Sequence, residues 1–178
     1  IGIRRGKRSM TDLCFVDANV LVYSRDSADA VKQSRAQDWL DRLWSEGVGR
    51  ISTQVLSEFY NVTTRKLAFP LTPDEAWADV EALFAWEPQA IDIETIGRAH
   101  QLEQRYRLSW WDSLIVAAAQ AQHCLLLLSE DLQDGARYGG VTVRDPFRLS
   151  VAEAIAAYGE APKPRYARRP SAMRARVL

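Results

Sequence analysis

At 178 residues, with 47% hydrophobic and 26% charged side chains, the chain has the make-up of one folded, water-soluble domain, which excludes disordered and collagen-like classes. Runs free of charged or strongly polar residues, such as Cys124 to Leu128, are far short of the roughly 20 residues that a membrane span requires. The formal net charge of zero is a cancellation: Arg4, Arg5, Lys7 and Arg8 at one end, and Lys163, Arg165, Arg168, Arg169, Arg174 and Arg176 at the other, have no acid among them, leaving 13 basic residues against all 23 acids within residues 11–162, a net of −10.

The predicted elements alternate between strand and helix. Leu13 to Val16 and Val20 to Tyr23, split by Asp17-Ala18-Asn19, read as a buried strand leading into a turn. Residues 30–46 have one apolar face and form a helix stopped by Gly47 and Gly49. A second short strand follows at Ile51 to Thr53, then a helix over Gln54 to Leu67 that ends before Phe69-Pro70. Thr72-Pro73-Asp74-Glu75 is a capping box with proline at the first helical position, predicting a helix that carries Trp77, Val80 and Phe84. Ala90 to Ile93 is a further strand candidate. Glu94 to Arg107 is a helix with Ile96, Ala99, Leu102 and Tyr106 on one stripe. Ser109-Trp110-Trp111-Asp112 opens a buried helix that runs to Ala121, and one tryptophan of the pair is expected to face the core. Cys124 to Leu128 is apolar at every position, as in a strand covered by helices on both faces. A loop through Gly135 and Gly139-Gly140 precedes the strand Val141 to Val143, and a short helix spans Ser150 to Tyr158.

This alternation predicts an α/β fold, a three-layer α/β/α sandwich around a mostly parallel sheet. In such sheets ligands bind just past the carboxyl ends of the strands. Cys14 and Cys124 each lie in an apolar run and read as buried free thiols in a reducing cytosol. The Arg4-Arg5 pair resembles the start of an export signal, but Asp12 and Asp17 break the apolar stretch behind it, so a cytoplasmic location is expected.

Four acids fall where chemistry sits in this architecture. Asp17 directly follows the first strand, and Asp131 comes three residues after Leu128. Asp112 is at the third position of a buried helix, and Glu58 lies one turn into the helix after the second strand. If those helices begin at the same edge, four carboxylates converge, and they would repel one another unless a cation neutralised them. Hard oxygen ligands suit Mg²⁺ or Mn²⁺, and the implied chemistry is metal-assisted attack of water on a phosphodiester. Each acid also has a structural reading: Asp112 completes a capping box with Ser109, Asp17 forms a turn, Glu58 is a solvated helix residue, and Asp131 and Asp134 make a polar loop before Gly135.

Phe15-Val16-Asp17-Ala18-Asn19-Val20-Leu21-Val22-Tyr23, Leu56-Ser57-Glu58-Phe59-Tyr60, Trp111-Asp112-Ser113-Leu114-Ile115 and Leu128-Ser129-Glu130-Asp131-Leu132 resemble, in order, the four acidic motifs of PIN-domain ribonucleases, closest to VapC-like toxins of toxin–antitoxin systems. The resemblance implies a parallel five-stranded sheet and a Mg²⁺- or Mn²⁺-dependent endoribonuclease. It implies a homodimer as well, and a cognate antitoxin protein that blocks the site. Carried over motif by motif, Asp17, Glu58, Asp112 and Asp131 become the catalytic and metal-binding quartet, with Asn19 and Ser129 in support. Gln133 stands where many relatives carry a second acid, which leaves the role of Asp134 open. The expected organisation is a basic extension over 1–10, a PIN-like catalytic domain over 11–149, a short helix within 150–160 and a basic, disordered tail over 161–178. That tail lies outside the family pattern, and it reads either as a solvated terminus or as electrostatic help in holding nucleic acid. The rival reading of the whole is a catalytically silent PIN-like scaffold that binds RNA or a protein partner.

Overall fold

The computed structural model describes residues 12–148; the helix expected at Ser150 to Tyr158 and both basic ends lie outside them. A five-stranded sheet has β1 (Cys14–Val16) and β3 (Leu126–Leu128) at its centre, β2 (Gly49–Arg50) at one edge, and β5 (Val141–Arg144) and β4 (Arg137–Tyr138) at the other. The order is β2-β1-β3-β5-β4, parallel throughout except for the β4–β5 pair. Every residue of β1 and β3 is buried, which accounts for their unbroken apolar sequences.

Among the described residues six α-helices connect and cover the strands: α1 (Ala18–Tyr23), α2 (Ala30–Glu46), α3 (Thr53–Arg65), α4 (Pro73–Leu83), α5 (Ile93–Tyr106) and α6 (Trp110–Ala121). The Thr72–Glu75 capping box forms with both of its reciprocal bonds, and Gly47 ends α2 in the left-handed conformation, φ 69°. Trp39, Phe15, Phe59 and Leu21 fill the core. Cys14 and Cys124 are buried free thiols, as expected, and burial raises both pKa values. Among the described residues no helix is long and apolar enough to cross a membrane.

Four local expectations are corrected. Val20 to Tyr23 are part of α1, because the Asp17 side chain accepts the Ala18 amide and starts a helix where a turn was expected. The second strand is Gly49–Arg50 and ends before Ile51 to Thr53, where Ser52 caps α3 by accepting the Val55 amide at 3.3 Å. Ala90 to Ile93 is no strand; the residue before it, Gln89, forms an isolated bridge with Ser52 outside the five-stranded sheet, and Ile93 already belongs to α5. The antiparallel edge strand β4 was not anticipated. Within α4 Val80 is buried, but Trp77 is half exposed and stacks edge-on at 6.3 Å with Phe84, the half-exposed residue just past the helix. Of the tryptophan pair, Trp110 packs against the core and Trp111 is exposed.

Candidate active site

Strands β1 and β3 run side by side with Val16 opposite Leu128. The residues that follow each strand therefore leave the sheet together. Asp17 donates its amide to the Leu128 carbonyl at 3.0 Å, extending the ladder by one bond, and its side chain then caps α1, Oδ1 accepting the Ala18 amide at 2.7 Å. Its other oxygen, Oδ2, accepts the Ser129 hydroxyl at 2.7 Å and the Asn19 amide nitrogen at 3.2 Å. Asn19 Nδ2 also lies 3.0 Å from Asp131 Oδ2, so one side-chain amide links two carboxylates from distant segments of the chain. The Ser129 hydroxyl accepts the Asp131 amide at 3.2 Å, and Asn19 Oδ1 accepts the Glu130 amide at 3.4 Å. Helix phase explains Asn19: with Asp17 as cap, the residue two places on projects back over the same edge.

Asp17 is 6% exposed, and burial, the largest cause, pushes its pKa from 3.8 to about 7. The bonds from Ser129 and Ala18 oppose that rise, while the charges of Asp131 and Glu58 add to it. Glu58, half-buried on α3 and accepting from Gln54 Nε2 at 2.9 Å, thus lies within electrostatic reach of Asp17. Asp131 is exposed at the rim.

Asp112 stands differently. Its amide is accepted by the Ser109 hydroxyl at 3.1 Å, and that hydroxyl donates to Asp112 Oδ2 at 2.7 Å, the closed cap of α6. Among the described residues no hydrogen bond joins Asp112 to Asp17, Asn19, Ser129 or Asp131. The Asp112 charge acts on Tyr138, whose pKa is raised by burial first and by Asp112 second. Asp134 has a structural role: Oδ1 accepts the Asp145 amide at 3.0 Å and lies 3.8 Å from Arg144 Nη1, fastening the loop to the end of β5.

Among the described residues no three His, Cys, Asp or Glu side chains are close enough together to hold a metal ion. The donor chemistry nevertheless fits a hard divalent cation. Asp17, Asp131 and Glu58 offer only oxygen, and burial first, then the charges of Asp131 and Glu58, raise the pKa of Asp17.

One cation escaped the sequence reading. Lys32, in the first turn of α2, forms an ion pair with Glu130, the residue between Ser129 and Asp131. It also donates to the Tyr23 hydroxyl at 3.0 Å and lies over the Tyr23 ring, 4.2 Å from its centroid. Ninety-eight residues separate Lys32 from Glu130, and no local pattern signals such a contact.

In a mostly parallel α/β domain, acids past the carboxyl ends of the central strands lie at the edge of the sheet where ligands bind. The PIN-domain family model matches residues 14–137, and the chain belongs to that family. No curated protein sequence matches the chain significantly. Among solved structures, a toxin–antitoxin complex from Klebsiella pneumoniae is similar with a TM-score of 0.57 at 20% identity, covering 78% of this chain and 99% of that one. VapBC2 from Rickettsia felis, bound to a DNA fragment from its promoter, gives 0.53 at 14% identity, covering 74% and 97%. The sarcin–ricin loop cleaving toxin VapC20 of Mycobacterium tuberculosis gives 0.50 at 17% identity, covering 66% and 89%. At these identities the likeness is one of fold.

Proposed function

We propose that the protein is a Mg²⁺- or Mn²⁺-dependent endoribonuclease, the toxin of a toxin–antitoxin pair acting in the cytoplasm as a homodimer. The observation that carries the reading is the bonded array Asp17–Asn19–Ser129–Asp131 at the ligand edge, with Glu58 in electrostatic range. The kinds of protein that share the fold, toxin–antitoxin complexes and an RNA-cleaving toxin, support it.

Asp17, Asp131, Glu58 and Asp112 would hold the cation, which when bound neutralises the carboxylates and supplies an activated water for phosphodiester hydrolysis. The chain's own groups prepare that site. Ser129 and Asn19 fix the Asp17 carboxylate by bonds of 2.7 and 3.2 Å. Asn19 keeps Asp131 beside it at 3.0 Å. Burial of Asp17 excludes water from its flank and strengthens its electrostatic interactions. The same acidity suits inhibition, because an antitoxin Arg or Lys can enter the Asp17/Asp131 pair in charge-assisted geometry and exclude metal. The engagement of Asp112 with Ser109 is the observation that favours the silent-scaffold reading.

The test is cleavage of total RNA in Mn²⁺, Mg²⁺ and EDTA by wild type and by Asp131→Asn. Metal-dependent cleavage lost in the variant is expected. Absence of both cleavage and calorimetric Mn²⁺ binding in the wild type would leave the scaffold. Co-expression in the native host that recovers only free protein would sink the antitoxin assignment, as a monomer in light scattering would sink the homodimer.

A further inference from the structure

A polyanion approaching this site meets Asp17, Glu58, Asp131 and Glu130, on a body whose residues 11–162 carry a net charge of −10. Some cation at the rim must receive its phosphates. The arginines of this region are held by the protein: Arg25 pairs with Asp79, which is 1% exposed, and Arg35 donates to the Phe147 carbonyl. Lys32 is placed otherwise. Its side chain is 27% exposed, and its ammonium spends two of three N–H groups, on Glu130 and on the Tyr23 hydroxyl. Beneath it lie two rings, Tyr23 and Phe147, packed edge to face at 5.0 Å, with Nζ 4.2 and 5.2 Å from their centroids. The rings fix the ammonium without saturating it, and the hydrogen bond it donates to Glu130 holds it charged.

We propose that Lys32, seated on Tyr23 and Phe147 beside Asp131, is a phosphate-binding residue for the RNA strand, held by Glu130 in the free protein and released to a backbone phosphate next to the bond that is cut. The proposal rests on the ribonuclease reading above. Glu130 acts as a reversible counter-ion, holding the lysine at the site while no RNA is bound.

The alternative role for Lys32 is a brace for the Ser129–Asp131 turn, and two substitutions separate the roles. As a brace, Lys32→Gln and Glu130→Gln break the same ion pair and act in the same direction. As a phosphate contact they act oppositely, since Glu130→Gln frees the ammonium. The experiment is fluorescence anisotropy of a single-stranded RNA oligonucleotide against the full chain in EDTA, titrated from 50 to 300 mM salt, for wild type, Lys32→Gln, Lys32→Arg and Glu130→Gln. Lys32→Gln is expected to weaken binding and lower the log–log salt slope by about 0.7, the value of one single-strand phosphate contact. Lys32→Arg is expected to retain the slope, and Glu130→Gln to bind more tightly than wild type. Parallel weakening in the two glutamine variants, an unchanged slope in Lys32→Gln, or no RNA binding by the wild type would overturn the proposal. Parallel cleavage assays keep the readings apart: wild-type cleavage with a Lys32-independent slope removes this assignment alone. Lys32-dependent binding without metal-dependent cleavage removes the nuclease reading alone.

Discussion

Replacing Asp17 by Asn should abolish most of the pH dependence of stability in metal-free buffer. The Asp17 pKa is about 7 in the fold against an ordinary 3.8. Between those values the native state keeps a proton that the unfolded chain has released, so the free energy of unfolding falls as pH rises, by up to about 1.4 kcal/mol per unit. Over some three units the loss is roughly 4 kcal/mol: stability from this group is full below pH 4 and gone above pH 7. Asparagine stays neutral throughout and keeps an oxygen for the Ala18 amide. Its Nδ2 forfeits the bond from Asn19 and obliges the Ser129 hydroxyl to accept, at a cost of about 1 kcal/mol. The curves should therefore cross at about pH 4.5, with the variant about 1 kcal/mol less stable at about pH 3 and roughly 3 kcal/mol more stable at about pH 8. Urea denaturation followed by tryptophan fluorescence in EDTA from about pH 3 to 8 measures both. Added Mg²⁺ should raise the wild type above pH 7 and leave the variant unmoved. Parallel pH profiles for the two proteins would refute the argument that Asp17 is a buried, uncompensated acid.

Asp112→Asn should abolish metal-dependent cleavage while changing stability by no more than about 1 kcal/mol, since asparagine still accepts the Ser109 hydroxyl; continued cleavage in that variant would assign Asp112 to capping alone. Gly49→Ala would set a Cβ 2.5 Å from the Trp86 indole, and thermal unfolding should show a loss of about 1–3 kcal/mol. Asp79→Ala breaks the buried two-bond pair with Arg25 that ties the end of α1 to α4, and a loss of about 3 kcal/mol in denaturant unfolding is expected.

Features encoded within a few residues were legible in the sequence. The Thr72–Glu75 box, the Ser109–Asp112 cap, the glycine stop of α2 and the apolar run of β3 all appear where they were expected. Misreadings came where tertiary context decided. Val20 to Tyr23 suits a strand by composition, but the Asp17 cap and burial against α3 make it helical. The two-residue strands β2 and β4 are too short to carry a period. At the site, order along the chain located Asp17, Asn19, Ser129 and Asp131, because register between β1 and β3 brings the ends of those strands together. The contact of Lys32 with Glu130 depends on how α2 lies over the sheet edge, which no spacing records. Asp134 shows the converse: it resembles a site acid in sequence and serves as a loop fastener in the fold.

The pairing of β1 with β3 has a temporal consequence. Asp17 and Asp131 are 114 residues apart in the chain, so a growing polypeptide exposes half a site long before the other half exists. At a synthesis rate of about 5–20 residues per second, the interval lasts roughly 6–23 s. Throughout it Asp17 has neither the Ser129 hydroxyl nor the Asp131 carboxylate beside it, and the acidic centre is incomplete. The acidic centre can therefore close only after Asp131 has been made and β3 has paired with β1, and a shorter nascent chain holds its first half alone.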